Sequence, residues 1–492
     1  MKLCRRRAFA VLAAVAAVLS LAGCASGGVD AHVSPNPATL WQAPPEARMP
    51  PPPTTPPPAI PPEYVKPGTT VSLEQIIDVA LRNNPVTRTA WFNARAAAAN
   101  VGAKRAEYFP TLELDANLTR QKQTAVGGRF VTLQTTYGPS LNLSWLLFDL
   151  GGRAADLDEA RNALFAADWT HDAVIQNLVL QVEVAFYQYQ NAKAQAAAAE
   201  ATLTQARESL KAAEDRHQAG VATIADVLQA KTAVSQAELV LETAQGSIQT
   251  LRGALATAAG VSPDVPVDVA PLPDQVNVEE VGETVQALIE KAQAQRPDLA
   301  AARFEALKAQ SHVRSVRSEG LPTLAAAGSA SRVYFYNSSG LPFANNYSGS
   351  LLFRFPVFTG GRNTYETLEA KEQARAAEGQ AETLQDQVVL QVWTSYYNLK
   401  TAAQRVKTAR DLLASASQSQ DVAAGRYRAG VGSILDLLVA QSAYANARAQ
   451  EAQARSDWFV ALALLAHDTG SLGPPSGPVQ PVSAGETKGA VP

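Results

Sequence analysis

Residues 216–230 read RHQAGVATIADVLQA, and residues 426–440 read RYRAGVGSILDLLVA, which is nearly the same phrase 210 residues later. A second pair recurs at the same distance, QVEVAFY at 181–187 and QVWTSYY at 391–397. Several anchors in one fixed order indicate a duplicated domain rather than a short solenoid unit. The chain is therefore predicted to be two copies of one plan.

Each copy is predicted to contain the same four parts in the same order. An opening helical segment is followed by a strand region, then by a very long helix and a return helix. In the first half these parts cover about 72–108, 111–147, 153–219 and 222–259, and in the second half about 282–318, 323–358, 362–429 and 432–469.

The long helices are the clearest feature of both copies. No glycine or proline occurs between Arg153 and Ala219, and at about 1.5 Å per residue such a helix is about 100 Å long. Gly220 and Gly430 follow the two long helices, and glycine suits a helix end because it reaches left-handed backbone angles cheaply. The repeated phrase is thus predicted to form the tip of a helical hairpin.

The middle of each long helix is apolar over much of its circumference, at 174–189 and at 388–399. A single coiled-coil seam would leave part of that surface in water. We therefore expect a wall of helices around a lumen, in which each helix has neighbours on both sides. A solid helical bundle is the alternative.

The strand regions alternate apolar and polar residues, as in LELDANL at 112–118. Period-two alternation predicts strands with one apolar face. Aromatic residues surround the second turn region in the manner of a membrane-interface girdle, namely Tyr334, Phe335, Tyr336, Phe343 and Tyr347. A soluble sandwich sheet is the alternative interpretation.

Two strand segments per half make four per chain, which is too few to close a membrane barrel, since such barrels start at about eight strands. Open sheet edges are not tolerated in lipid. If these strands cross a membrane, several chains must share one barrel, and three chains would supply twelve strands. At this point both a dimer and a trimer remain open.

The first 23 residues have a basic start, an apolar run and small residues at the end, which is the pattern of a secretory signal peptide. Their end, Leu-Ala-Gly before Cys24, resembles the bacterial lipobox, in which the new N-terminal cysteine is lipidated. An ordinary signal peptide with an incidental cysteine is the alternative. The predicted organisation is a signal peptide at 1–23, a proline-rich linker at 24–70, a first repeat at 71–260, an inter-repeat linker at 261–281, a second repeat at 282–470 and a loose tail at 471–492.

Composition and motifs argue against several classes of function. The formal net charge is −3 and no basic run follows the first ten residues, which excludes nucleic acid as the expected partner. The five histidines lack metal-ligand spacing, and no phosphate-binding glycine loop or nucleophile elbow occurs. We expect no enzyme activity, no cofactor and no metal site.

Taken together, these features resemble the outer-membrane efflux protein family, the TolC-like outer membrane factors, over about residues 70–470. The resemblance rests on the duplication, the strand pairs before very long helices, the paired tips, and the junctions LFDLGGR at 147–153 and VFTGGR at 357–362. It implies an α+β membrane protein in which four transmembrane strands per chain join a shared trimeric, twelve-stranded barrel, continuous with a long helical barrel.

The resemblance also implies function, partners and location. It implies a homotrimeric exit duct of a tripartite efflux or type I secretion system, through which substrates pass passively. The helix tips would meet a periplasmic adaptor and an inner-membrane pump. The lipobox fits the lipoprotein branch, and Ala25 in place of aspartate implies anchoring in the lipid of the outer membrane. A lipid-anchored periplasmic coiled-coil scaffold without a pore is the alternative.

Residue roles carry over from the family at the helix tips. There, aspartates on the returning tip helices narrow the periplasmic entrance, and the matching positions are Asp436 and Asp226, with Tyr427 in the closing network. Three Asp436 carboxylates around an axis would favour cations. An acid early in a helix is also stabilised by the helix dipole, and this alternative is favoured for Asp226.

The chain departs from the family pattern at two tip positions, where Val439 replaces a second aspartate and Gly432 replaces an arginine. The gate is therefore expected to be held differently. The candidates for the adaptor-facing surface are Arg216, Gly220, Arg426 and Gly430, and a structural reversal with solvated arginines is the alternative.

Overall fold

The computed structural model describes residue 64 and residues 69–125, 130–271, 282–336 and 340–473. They belong to one compact unit, Pro57–Pro492. The predicted signal peptide, Cys24, almost all of the proline-rich linker and most of the tail lie outside the described residues, and these predictions are not tested by the structure.

The described elements follow the same order in both halves of the chain. The first half contains α1 (Leu73–Asn83), α2 (Pro85–Ala106), β1 (Thr111–Ala125), β2 (Phe130–Phe148), α3 (Gly152–Gln218) and α4 (Ile224–Ala258). The second half contains α5 (Val285–Gln295), α6 (Pro297–Ser318), β3 (Thr323–Phe335), β4 (Phe343–Arg354), α7 (Arg362–Arg428) and α8 (Ile434–Asp468). The long helices and their return helices end within two residues of the predicted bounds.

The opening helical segment predicted for each half consists of two helices. The two helices are separated at Asn84, before Pro85, and at Arg296, before Pro297. The backbone of both Asn84 and Arg296 is extended. The proline ring disfavours helical angles at the residue before it and is well placed as the first residue of a new helix.

Glycines end all four long or return helices with the same hydrogen-bond pattern. At the first tip, the N–H of Gly220 donates to His217 O and that of Val221 donates to Arg216 O. This Schellman motif satisfies carbonyls at the helix end and requires a left-handed residue. Gly430, Gly260 and Gly470 also have positive φ, between 71° and 76°.

Two apolar clusters in equivalent places hold the helices together. The first joins α1, the middle of α3 and the end of α4, and it is built around Ile76, Val179, Val182 and Leu255. The second joins α5, the middle of α7 and the end of α8, around Leu288, Val388, Val392 and Leu465. Within the described parts of the chain, none of the helices combines enough length and apolar character to cross a membrane.

The two long helices differ in how many neighbours they have. Helix α3 packs against α1, α2 and α4 of its own repeat and also against α6 and α8 of the second repeat. Helix α7 packs mainly against α5, α6 and α8, all from its own repeat. In consequence Leu390, Trp393 and Tyr397 of α7 remain exposed.

The four strands form one antiparallel sheet in the order β1-β2-β3-β4. Leu112 pairs with Leu143, Leu143 pairs with Gly328, and Gly328 pairs with Gly349. The central β2–β3 pairing joins the two repeats, while β1 and β4 form the edges of the described sheet. The α+β fold class is therefore confirmed, with a predominantly helical chain and one small antiparallel sheet.

Candidate channel surfaces: the sheet and the helix tips

The sheet separates its side chains by polarity. The register places one set of apolar residues on the same face, which we call the apolar face: Leu112, Leu114, Leu118, Tyr137, Leu141, Leu143, Trp145, Ala326, Ala330, Tyr334, Phe343, Tyr347, Leu351 and Phe353. This face is not covered by the rest of the chain, since Leu114 is 75% exposed and Tyr347 is 89% exposed. Such a surface is suited to a hydrocarbon environment.

The opposite face, the polar face, carries hydroxyl, amide and carboxylate groups. Its members include Glu113, Asp115, Asn117, Asn142, Ser144, Ser329, Ser331, Ser348 and Ser350. The Asn142 amide donates to Asp115 Oδ2 at 2.6 Å across the β1–β2 pair. A face of this kind is suited to a water-filled lumen.

Aromatic side chains lie at both ends of the apolar face. At the turn end, Tyr137 stacks on Tyr334 with 5.3 Å between ring centroids, and Tyr334 contacts Phe343. At the helix end, Trp145 and Phe353 lie on the apolar face. From Phe353 to Phe343 the strand covers about 33 Å at about 3.3 Å per residue, or about 25 Å across a bilayer if it is tilted by about 40°. Phe335, which was expected in the girdle, lies on the polar face because it pairs with Thr136.

The junction between strand and helix holds a buried arginine whose role the sequence reasoning missed. Arg153 donates to the carbonyl oxygens of Leu146, Leu147 and Glu107, and its Nε lies 3.2 Å from Asp149 Oδ2. The guanidinium also lies 4.8 Å from the centre of the Tyr108 ring. Arg153 thereby connects α2, β2 and α3.

The equivalent junction of the second repeat is open. Arg362 is largely exposed and its ion pair with Glu366 is 3.6 Å long. A double glycine precedes the arginine in both junctions, and Gly151, Gly360 and Gly361 have the positive φ that a sharp turn requires. An arginine follows the glycines in both repeats, and this repetition was the sequence feature that could have indicated a structural role. It could not show that only Arg153 would bind the neighbouring carbonyl groups.

Asp226 and Asp436 occupy equivalent positions at the first turn of their helices. Each forms a capping box: its N–H donates to the hydroxyl of Thr223 or Ser433, and its carboxylate accepts from the N–H of that residue. The carboxylates therefore have a local structural role in capping their helices. Asp436 is exposed, whereas Asp226 is half-buried.

The two hairpin tips meet at Tyr427 and Arg216. Tyr427 is buried and packs on Ile434 and Leu437. Arg216 of α3 donates from Nη1 to Tyr427 O at 2.7 Å, and its guanidinium lies 4.9 Å from the Tyr427 ring centre. A residue proposed for the adaptor-facing surface thus also connects the end of α3 to the end of α7.

The Tyr427 side chain is buried close to two charged residues, Arg216 and Asp226. Its hydroxyl is buried and has no hydrogen-bond partner among the described residues. Burial raises the pKa of Tyr427, the nearby Arg216 guanidinium lowers it, and the Asp226 carboxylate raises it. The tyrosine is therefore held neutral between an arginine and an aspartate of the other tip.

The remaining tip positions predicted from the sequence are at the surface or at the turn. Arg426 is exposed, and its carbonyl accepts from the N–H groups of Val431 and Gly432. A Cβ on Gly432 would lie 3.0 Å from Arg426 Cβ, so a larger residue at this position would be crowded by the end of α7. Val439 is 61% exposed.

Comparison with known proteins agrees with this architecture. The family model described as "Outer membrane efflux protein" matches residues 76–261 and 288–471. Protein CyaE of Bordetella pertussis is 31% identical over 484 residues, covering 95% of this chain and 96% of that protein. Outer membrane efflux protein BepC of Brucella suis is 25% identical over 395 residues, covering 80% and 84%.

A solved structure supports the same fold. The outer membrane protein VceC of Vibrio cholerae superposes with a TM-score of 0.70 at 22% identity, covering 81% of this chain and 96% of that one. The chain therefore belongs to the outer membrane efflux protein family, and it is an outer-membrane exit duct.

Proposed function

We propose that three copies of this chain form a passive duct that crosses the outer membrane and extends into the periplasm. The observation that carries the proposal is the four-stranded sheet, which is apolar on one face, polar on the other and uncovered on both. The duct is proposed to accept substrates from a periplasmic adaptor and an inner-membrane pump, and to catalyse no reaction itself.

The strand count supports assembly from several chains. The described sheet has two free edges, β1 and β4, and free edges are not stable in lipid. Pairing β4 of one chain with β1 of the next would repeat the β2–β3 pairing that joins the two repeats within a chain. Three chains arranged head to tail would close a ring of twelve strands.

Helix packing supports the same arrangement. Helix α3 contacts α6 and α8 of the following repeat, but α7 has no comparable pair of neighbours from another repeat among the described helices. In a head-to-tail ring, α2 and α4 of the next chain would fill these places. The exposed Trp393 and Tyr397 of α7 and the exposed Leu239 and Val240 of α4 are apolar surfaces of the kind such contacts bury.

The helix tips are proposed to form the periplasmic entrance. They lie about 100 Å along the helices from the strands, given about 1.5 Å per residue. The exposed groups at the turns, Gly220, Gly430 and Arg426, are the proposed adaptor-facing surface. Asp436 is proposed to form the selective ring, because its carboxylate is exposed and three copies would concentrate negative charge.

The contact between Arg216 and Tyr427 is proposed to hold the two tips together in the closed entrance. It joins the hairpins of the two repeats by one hydrogen bond and one cation–π contact. Such contacts are individually modest, so an adaptor that binds the tips could separate them. Asp226 would contribute through its charge beside Tyr427.

Anchoring through Cys24 is proposed from the sequence pattern. A lipid on this residue and the proline-rich spacer would attach the duct to the outer membrane in addition to the strands. Labelling cells with radioactive palmitate tests this, because Cys24→Ala should abolish incorporation. Equal labelling of the variant would contradict a lipid at this position.

Planar-bilayer recording tests the duct itself. The purified full-length protein should migrate as a trimer after chemical cross-linking and should conduct ions in single-channel steps. A cross-linked monomer that retains its β content and conducts, or a trimer that never conducts, would contradict the proposal.

Three variants test the entrance separately from the pore. Asp436→Ala should raise the single-channel conductance or weaken block by added cations, whereas Asp226→Ala, its matched control, should change cation block less. Arg216→Ala should increase the fraction of time spent open. Unchanged conductance and block in Asp436→Ala would leave this residue with its capping role alone.

A further inference from the structure

The charged residues of the sheet are sorted between its two faces. The four described strands contain six charged residues. Both acids, Glu113 and Asp115, lie on the polar face with Arg354, whereas the register places Arg120, Lys122 and Arg332 on the apolar face. The surface that faces hydrocarbon in the proposed duct therefore carries cations and no acid within the described strands.

These three cations all lie toward the turn end of the apolar face. Arg332 pairs with Asn345, directly next to the row of Tyr334 and Phe343. Arg120 pairs with Thr135 and Lys122 with Leu133, one and two rows beyond Tyr137. Arg332 therefore lies one row to the helix side of the aromatic row, and Arg120 and Lys122 lie to its turn side, so the three cations flank the aromatic band that marks the height of lipid head groups.

None of the three has an acidic partner in the part of the chain that the structure describes. All three are exposed. Arg332 donates from Nε to Asn345 Oδ1 at 2.9 Å, and its guanidinium lies 5.0 Å from the Phe343 ring centre. The described residues offer none of the three cations an ion pair.

We propose that Arg120, Lys122 and Arg332 bind the phosphate groups of a phosphorylated glycolipid in the outer leaflet of the membrane. The proposal rests on the proposed function, because it requires the strands to span the membrane with their turns outside. Unpaired cations beside an apolar surface are expensive unless they meet anions, and arginine and lysine are good phosphate ligands. Apolar residues below them would contact the acyl chains of the same lipid.

The test compares binding of bisphosphoryl lipid A with that of its dephosphorylated form, which has the same acyl chains, to the full-length protein in detergent by native mass spectrometry. The wild type should prefer the phosphorylated form by at least about tenfold, as expected for several charge-assisted contacts. The triple variant Arg120→Gln/Lys122→Gln/Arg332→Gln should lose this preference.

Arg354→Gln is the matched control, since it removes one cation from the polar face and should leave the preference unchanged. The double variant Arg120→Gln/Lys122→Gln keeps the contact between Arg332 and Asn345 and should retain an intermediate preference, which guards against misfolding of the triple variant. The absence of a preference in the wild type, a preference kept by the triple variant, or an equal loss in Arg354→Gln would overturn the proposal.

Recording the same preparations in bilayers without glycolipid separates this proposal from the duct. Wild-type protein that conducts but binds both lipids equally overturns the lipid site and leaves the duct standing. Wild-type protein that neither conducts nor inserts overturns both.

Discussion

The two long helices, α3 and α7, have the same length and the same sequence plan but different surroundings. Tyr187 of α3 and Tyr397 of α7 occupy equivalent positions. Tyr187 stacks on Phe459 with 4.8 Å between ring centroids, whereas Tyr397 is 43% exposed beside Trp393. Duplication therefore determines the length and sequence plan of each helix. The position of the helix relative to the other repeat determines which of its side chains are buried.

The strand-to-helix junctions repeat this contrast. Arg153 is buried beneath β2 and clamps three carbonyl groups, while Arg362 has one exposed ion pair. In both comparisons the residue of the first repeat is packed against other parts of the same chain, and the equivalent residue of the second repeat is exposed. A head-to-tail ring gives a physical reason, because the next chain would supply what the second repeat lacks.

The largest difference between the repeats is expected at these arginines. Arg153→Ala should lower the free energy of unfolding by about 3–5 kcal/mol, because Asp149 and three carbonyls lose a buried partner. Arg362→Ala, the matched control, should lower it by less than about 1 kcal/mol, as is usual for exposed pairs. Urea unfolding followed by tryptophan fluorescence measures both, and equal losses would show that the junctions do not differ.

The two equivalent tyrosines should separate folding from assembly. Tyr187→Ala should lower the free energy of unfolding by about 2 kcal/mol, since it removes a half-buried ring stacked on Phe459. Tyr397→Ala should leave the urea midpoint of the helical signal nearly unchanged and reduce the oligomer seen after cross-linking. If Tyr397→Ala unfolds the helices as readily as Tyr187→Ala, the open flank of α7 is not an assembly surface.

Two glycines mark a place where the repeats should behave alike. A Cβ on Gly260 would lie 2.8 Å from Asn84 N, and one on Gly470 would lie 3.0 Å from Arg296 N. Positive φ and backbone overlap together should cost about 2–3 kcal/mol in either alanine variant. Gly220→Ala, with open space around it, should cost about 1 kcal/mol. Thermal unfolding of the three variants checks whether this equality holds.

The smallest expected difference appears at high pH. Burial, with a smaller contribution from the Glu183 carboxylate, raises the pKa of Tyr187 from 10.0 to about 12. The unfolded chain loses this proton at lower pH than the folded one, so stability present below pH 10 should be lost between pH 10 and about 12. Tyr187→Phe should weaken this pH dependence of the urea midpoint. A pH profile of Tyr187→Phe identical to that of the wild type would contradict a raised pKa at this tyrosine.

Local patterns in the sequence predicted much of the fold. The helix-ending glycines and the alternation of the strands were recognised correctly because each depends on residues close together in the chain. The breaks before Pro85 and Pro297 were not predicted, although both prolines are visible in the sequence. Phe335 was wrongly assigned to the aromatic girdle, because the assignment used its residue type and not its position in the strand register.

The candidate site depended more on contacts between distant residues. The sequence indicated Tyr427 and Arg216 separately, one for the gate and one for the adaptor, but not that they touch. The clamp at Arg153 was also invisible, because Arg362 follows the same glycines without such contacts. The roles of Asp436 and of Cys24 stay predictions.

By itself the sequence determined the duplication, the alternating strands and the long glycine-ended helices, because these features follow from residue spacing along one segment. Only the tertiary structure decided which member of each repeated pair is buried and which is open. It also decided the register that sorts the charges of the sheet onto two faces. Burial and pairing depend on which distant segments meet, and two nearly identical segments can therefore end in different environments.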